Sequence, residues 1–415
     1  MKFAASCSIH QDRRMQPCTE WAPISLQERT NAGDGVKITG YWGNLAARAG
    51  IVIFWIFALS ILITPRVACA ATWQATVGSQ SADKGIQALA FLPNELWIHA
   101  GDSIKWTFPT HEIHTVTFLQ QSFLTNPQQV RPARPGAGGG CPGTTPDQPV
   151  PPSFDGSTCV TSGDDLFVDG ATYTVTFPKA GNFKLVCLVH PNMTGAVHVL
   201  DTTEKLPHKQ AFYDKQARNR QTELLSNGAD LEDQATATGQ DSKGESQQGS
   251  EMRHGSGNAV TAGIGEIVAT GGGSDTVSVM RFLQGSIYVR VGNTVEWTNL
   301  DPVTPHTVTF GFPIEPAPPQ PPSAGVTLDS DGARHGDVTS PSDNVHSGFV
   351  VAALQDRGPP PPPAASPPPP AVAPLQQSPL TVTRFRVTFT KPGTFTYRCI
   401  LHDDLGMTGQ VIVYR

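Results

Sequence analysis

From Ala71 onward the chain is written in short runs in which apolar and polar residues alternate, with Gly, Pro or Asn between them. "FLPNELWIHAGDSIKWTF" (Phe91 to Phe108) and "YTVTFPKAGNFKLVCLVH" (Tyr173 to His190) are examples, rich in Val, Ile, Thr, Phe and Tyr. A period of two places alternate side chains on opposite faces, so each run predicts a half-buried strand. No helical period stands out within these regions. The class expected is all-β, an antiparallel sandwich.

The pattern occurs twice. Phe91 to Phe108 aligns without a gap on "FLQGSIYVRVGNTVEWTN" (Phe282 to Asn299) at an offset of 191, placing Trp106 on Trp297. "IHTVTF" at Ile113 is matched by "PHTVTF" at Pro305, and Tyr173 to His190 by "FRVTFTKPGTFTYRCILH" (Phe385 to His402) at an offset of 212. "MTGAVHV" then matches "MTGQVIV". A repeat of this length predicts a duplicated domain, with copy one over residues 71–200 and copy two over 258–415. Residues 201–257 are rich in Gln, Asp, Glu, Lys and Ser and predict a polar linker, helical around Lys209 to Leu225, that leaves the copies largely independent. Each copy is interrupted, at about 120–163 by a Gly/Pro-rich insert and at about 312–379 by one containing "GPPPPPAASPPPP". Such stretches extend from a surface and add nothing to a core. Trp106 and Trp297, at matched strand positions, are expected in the core.

Residues 1–70 read differently. Ala49 to Thr64 is apolar and uncharged, flanked by Arg48 and Arg66, with Ala68-Cys69-Ala70 as a small-x-small cleavage pattern. The run is short for a spanning helix and close to a secretory core segment. It predicts a signal peptide, or an N-in membrane anchor favoured by the upstream Arg and Lys. Either exports the rest to the periplasm or another extracytoplasmic space. A net charge of -6 gives no basic footprint for nucleic acid.

Export changes the meaning of the cysteines. Of 7, Cys7, Cys18 and Cys69 fall in the leader, leaving Cys141, Cys159, Cys187 and Cys399. Cys141 and Cys159 share the first insert and are the disulfide candidates. Cys187 lies three residues before His190 and six before Met193; Cys399 lies three before His402 and eight before Met407. In each copy Phe183, Leu185 and Cys187, or Phe395, Tyr397 and Cys399, share a strand face. Upstream, His114 follows the core-facing set of Val116 and Phe118, and His306 that of Val308 and Phe310. A single such histidine would ordinarily be a core or rim residue. Two histidines, a cysteine and a methionine, arranged the same way twice, form the ligand set of a blue-copper centre. Zinc is the competitor for a Cys-x2-His loop, but it has little use for the methionine. His111 is expected at the surface rather than as a further ligand, and His99, His198, His208, His335 and His346 are assigned no role.

On these residues both copies resemble cupredoxins of the plastocyanin and amicyanin type. The loop "CILHDDLGM" resembles that of plastocyanin and gives His306, Cys399, His402 and Met407; "CLVHPNM" resembles that of amicyanin and gives His114, Cys187, His190 and Met193. The resemblance implies Greek-key sandwiches, one type 1 copper ion in each, one-electron transfer, and transient redox protein partners. It also implies that His190 and His402 reach the surface as electron ports. Multicopper oxidases and copper nitrite reductases repeat this fold too, but they need histidines beside the type 1 cysteine. Here the neighbours are Val186 and Leu188, and Arg398 and Ile400, and no His-x-His pair occurs. A carrier is therefore expected rather than an enzyme. A copper-delivery protein is the other alternative, though the Met-rich or His-rich tracts that would mark one are missing.

Overall fold

The alternation read from the sequence becomes a burial pattern. In "SIKWTF" every second residue is buried, ending on Trp106 and Phe108, and "TVEWTNL" repeats this around Trp297. The computed structural model describes residues 70–120, 152–163, 170–244, 258–311, 322–352 and 383–415. The apolar run 49–64, Cys69 and Cys141 lie outside the described residues.

Copy one contains β1 (Thr72–Gln80), β2 (Ile86–Leu92), β3 (Glu95–His99), β4 (Ser103–Phe108), β5 (Thr117–Phe118), β6 (Val160–Thr161), β7 (Ala171–Thr176), β8 (Gly181–Val186) and β9 (Thr194–Leu200). Copy two contains β10 (Ala259–Ala269), β11 (Ser274–Leu283), β12 (Ser286–Arg290), β13 (Thr294–Leu300), β14 (Thr309–Phe310), β15 (Thr327–Leu328) and β16 (Arg334–Val338). It ends with β17 (Val345–His346), β18 (Arg384–Phe389), β19 (Gly393–Arg398) and β20 (Thr408–Tyr414). In copy one the order β2-β1-β4-β7 faces β3-β9-β8-β5-β6; in copy two β11-β10-β13-β18 faces β12-β20-β19-β14-β17. Pairing is not purely antiparallel. β1 runs parallel to β4 and β3 to β9, as do β10 to β13 and β12 to β20. Crossovers between the two sheets of each sandwich place these strands side by side without a hairpin.

The inserts are not wholly outside the core. Residues 152–163 supply Phe154, fully buried among Phe118, Phe177 and Phe183, and β6, which pairs with β5. In copy two β17 closes the same edge against β14, and Val338 and Val350 are buried. These stretches escape a reading based on the repeat because the two copies do not align there.

Nor are the copies independent. β2 and β11 pair antiparallel, Leu89 with Thr276, Ala88 with Val277, Gln87 with Ser278 and Ile86 with Val279. At the repeat offset of 191, Gln87 and Ser278 are equivalent, and Ala88–Val277 and Ile86–Val279 are related by exchange. The two sandwiches are thus joined about a local two-fold, as in an isologous dimer.

The polar linker is a helix, α1 (Gln210–Gly244), longer than its sequence suggested. It lies over the seam. Leu224 is fully buried with Ile86, Ala88, Val277 and Val279, and Ala217, Leu225, Leu231 and Ala235 pack beside it. At Gly228 a Cβ would stand 2.3 Å from Ile86 and 2.8 Å from Val277, so the close approach requires glycine. Tyr213 accepts the Trp97 amide at 3.0 Å and packs edge-on against Trp73, while Arg220 pairs with the buried Asp275 at 2.7 Å. The helix is clasped to both copies. Among the described residues no helix is long and apolar enough to cross a membrane.

Candidate metal centres

Each cluster stands at one end of its sandwich. Cys187 and Cys399 directly follow β8 and β19, and His114 and His306 precede β5 and β14. The loops are closed by their own backbone. Cys187 N–H donates to the Met193 carbonyl at 3.0 Å, and Cys399 N–H to that of Met407 at 3.1 Å. The extra length of the second loop is taken up by a single 3-10 turn, Asp403–Leu405, ended by Gly406 at φ 87°.

The ring nitrogens and sulfur of His114, Cys187 and His190 lie within 4.8 Å of one another, and so do those of His306, Cys399 and His402. The two Nδ1 atoms face each other at 3.2 Å in the first group and 3.1 Å in the second. Sγ of Cys187 is 3.8 Å from Nδ1 of His190, and Sγ of Cys399 is 3.3 Å from that of His402. All six residues, with Met193 and Met407, are buried. The thiols accept backbone N–H bonds, Cys187 from Thr115 and His190 at 3.4 Å, Cys399 from Thr307 at 3.3 Å. Thr115 and Thr307 hydroxyls in turn accept the amides of Leu188 and Ile400.

Electrostatics favour thiolates here. Burial alone would raise both cysteines, but His114 and His190 bring Cys187 well below the ordinary thiol range, and His402 lowers Cys399. Burial opposes charge on His190, yet Cys187 and Glu112 lift it to about 9; Cys399 foremost lifts His402 to about 9. Burial, helped by the charge of His402, keeps His306 well below the ordinary range.

Two thiolates, each facing paired Nδ1 atoms in a water-excluded pocket, are donors that a soft cation satisfies. The far side of each upstream ring is fixed by glycine. A Cβ at Gly78 would sit 2.6 Å from Nε2 of His114, and one at Gly263 2.2 Å from Nε2 of His306. Both glycines lie at bulges of β1 and β10, at φ 75° and 83°. These seats could have been found in the sequence. "TVG" at Thr76 and "TAG" at Thr261 are a further element of the repeat.

One expectation fails. His190 and His402 are 1% and 4% exposed, so neither is a surface port. They point toward each other across Glu112, which is itself buried. Nε2 of His190 is 3.2 Å from Glu112 Oε1, and Nε2 of His402 is 3.7 Å from Oε2. A reading of each copy separately could not anticipate a residue whose role depends on the seam. Burial would raise the Glu112 carboxyl, but His190 and then His402 bring it down to about 2. His111 is half-buried and in neither donor group, and Trp106 and Trp297 are core residues as expected. Cys159 is disulfide-bonded, whereas Cys141 lies outside the described residues.

Comparison with known proteins follows the same lines. Residues 78–200 match the family model described as copper binding proteins, plastocyanin/azurin family. No curated protein matches the chain. Among solved structures, oxidised plastocyanin from Dryopteris crassirhizoma is similar at 17% identity, over 38% of this chain and 99% of its own, with a TM-score of 0.18. Amicyanin from Paracoccus versutus is similar at 19% identity, over 34% and 87%, with a TM-score of 0.18. A purple cupredoxin from Nitrosopumilus maritimus is similar at 17% identity, over 38% and 99%, also with a TM-score of 0.18. The family likeness covers residues 78–200, the stretch that holds His114, Cys187, His190 and Met193.

Proposed function

We propose that the chain is an exported blue copper protein that carries electrons one at a time through two type 1 copper sites. The observation that carries this reading is the repetition of one buried donor set at equivalent positions of two sandwiches. In it His114, Cys187 and His190 hold the first ion with Met193 as a weak thioether ligand. His306, Cys399, His402 and Met407 hold the second. Copper bound there supplies a one-electron couple.

The protein's part is to keep the donors still. Strand ends fix Cys187 and Cys399, glycine seats fix His114 and His306, and backbone amides aimed at sulfur stabilise the thiolate without a proton. Closed loops and full burial exclude water, so little needs to rearrange as the charge changes. The residues flanking each cysteine, Val186, Leu188, Arg398 and Ile400, offer no imidazole for a further copper, which supports a carrier over an oxidase or nitrite reductase. The apolar segment at 49–64 supports export, as a cleaved signal or an anchor. Partners are transient redox proteins, docking away from the buried His190 and His402.

The test is metal analysis and a visible spectrum of protein matured in a copper-replete periplasm. Two coppers per chain and a blue oxidised form are expected. One equivalent, or zinc alone, would overturn the reading.

A further inference from the structure

The environment of Glu112 has no counterpart in the repeat. Glu112 stands two residues before His114, and the matching position, two before His306, is Thr304. Glu112 sits between the Nε2 atoms of His190 and His402, one ring from each copy, at 3.2 and 3.7 Å. Both are ion-pair distances, the shorter within hydrogen-bonding reach. Thr304 instead meets Ser278, the seam residue opposite Gln87, at 3.3 Å. Two identical chains paired this way would put two carboxylates near the axis, where their charges would repel. In the tandem chain this position carries a carboxylate in one copy only.

We propose that Glu112 is a carboxylate shared by the two loop histidines, which ties the two copper sites into one electron-exchanging pair. It rests on the copper reading above. With Nε2–H of each ring turned to Glu112, Nδ1 is left as the free donor on the side of the thiolate, so one side chain orients a ligand in each site. The shared charge also sets which redox state is neutral. A copper(II) with one thiolate carries one net positive charge and a copper(I) with one thiolate carries none. Counted with the Glu112 carboxylate and apart from the buried Asp301, which also lies near His190, the pair is neutral when it holds a single electron. Without it, neutrality would need two. With copper in both sites, His190, Glu112 and His402 would be the contacts that join a reduced site to an oxidised one. No bond is made or broken, each proton stays on its ring, and no further reactant is consumed.

The test has an arm that needs no copper. In metal-free, nitrogen-15-labelled protein held above about pH 10, past the value of about 9 for both rings, His190 and His402 are expected as Nε2–H rings, and Glu112→Gln should displace both signals more than those of His114 and His306. An unmoved His402 overturns the proposal. If Glu112→Gln does not fold, the wild-type spectrum decides, because a His402 Nε2 that carries no proton at that pH is equally fatal. In copper-loaded protein, Glu112→Gln is placed in Cys187→Ser and Cys399→Ser backgrounds to isolate each site. Both midpoint potentials should rise, and copper affinity should fall by about 10- to 100-fold at each. An effect at one site alone overturns sharing. Electron exchange in half-reduced wild type should be independent of protein concentration; a rate proportional to concentration means exchange between molecules and overturns the relay. Failure to bind any copper would instead end the reading it rests on, and the imidazole spectra would still decide the role of Glu112.

Discussion

Gln87 faces Ser278 across the β2–β11 seam, and the two are each other's counterparts in the repeat. The duplicated halves therefore meet as the subunits of a symmetric dimer meet, through one surface used twice. That contact brings the two donor groups together and puts their loop histidines in the interior.

Two separate donor groups predict separable optical signals. Cys187→Ser should remove the first site's charge-transfer band and leave the second, and Cys399→Ser the reverse, because each thiolate belongs to one group only. Visible absorption of each variant checks this. Loss of both bands from one substitution would mean a single shared centre.

Gly78→Ala should damage only the first site and Gly263→Ala only the second. Each substitution adds a Cβ at 2.6 or 2.2 Å from a ring nitrogen, at a backbone φ that side chains rarely adopt. A cost of about 1–3 kcal/mol is expected from the strain, with weaker copper binding at the affected site. Chemical denaturation and copper competition measure the two effects.

Leu224→Ala tests the helix over the seam. Leu224 is fully buried between β2 and β11, so its truncation should cost about 2–5 kcal/mol. If the helix were a solvated linker, the unfolding midpoint would not move.

Acid should weaken one surface network. Bonds from Arg386 hold the Asp329 and Asp331 carboxyls below the ordinary value of 3.8. A native pKa below the unfolded one stabilises the fold fully above that value, and the contribution is lost as pH falls through the lowered one. Arg386→Met should therefore lower the unfolding midpoint at neutral pH, with the gap from wild type closing below about pH 4. A gap that persists into strong acid would contradict this origin.

The sequence carries some levels of this organisation better than others. Strand periodicity and the aligned halves are enough to place His114, Cys187 and His190 in one cluster and His306, Cys399 and His402 in another, because both are set within a single sandwich. Phe154 and β6 were hidden by the composition of their neighbours in the insert. The full length of α1 is not legible because its buried face is made largely of Ala, Leu and Gly at wide intervals in a polar sequence, and that face has meaning only against the seam. Glu112 lay furthest from view. A lone glutamate beside a histidine carries no pattern, and its second partner is 290 positions away.

The symmetric seam also limits how the halves can exist apart. Severed within α1, each would present a strand, β2 or β11, with unpaired backbone amides and carbonyls and an outer face of Ile86, Ala88, Val277 or Val279 stripped of its cover. Such an edge recruits another strand. Because β2 and β11 already pair as repeat equivalents, the nearest match for either is a second copy of itself. A single sandwich cut from this chain would be a self-associating fragment, and the tethered partner keeps that edge closed.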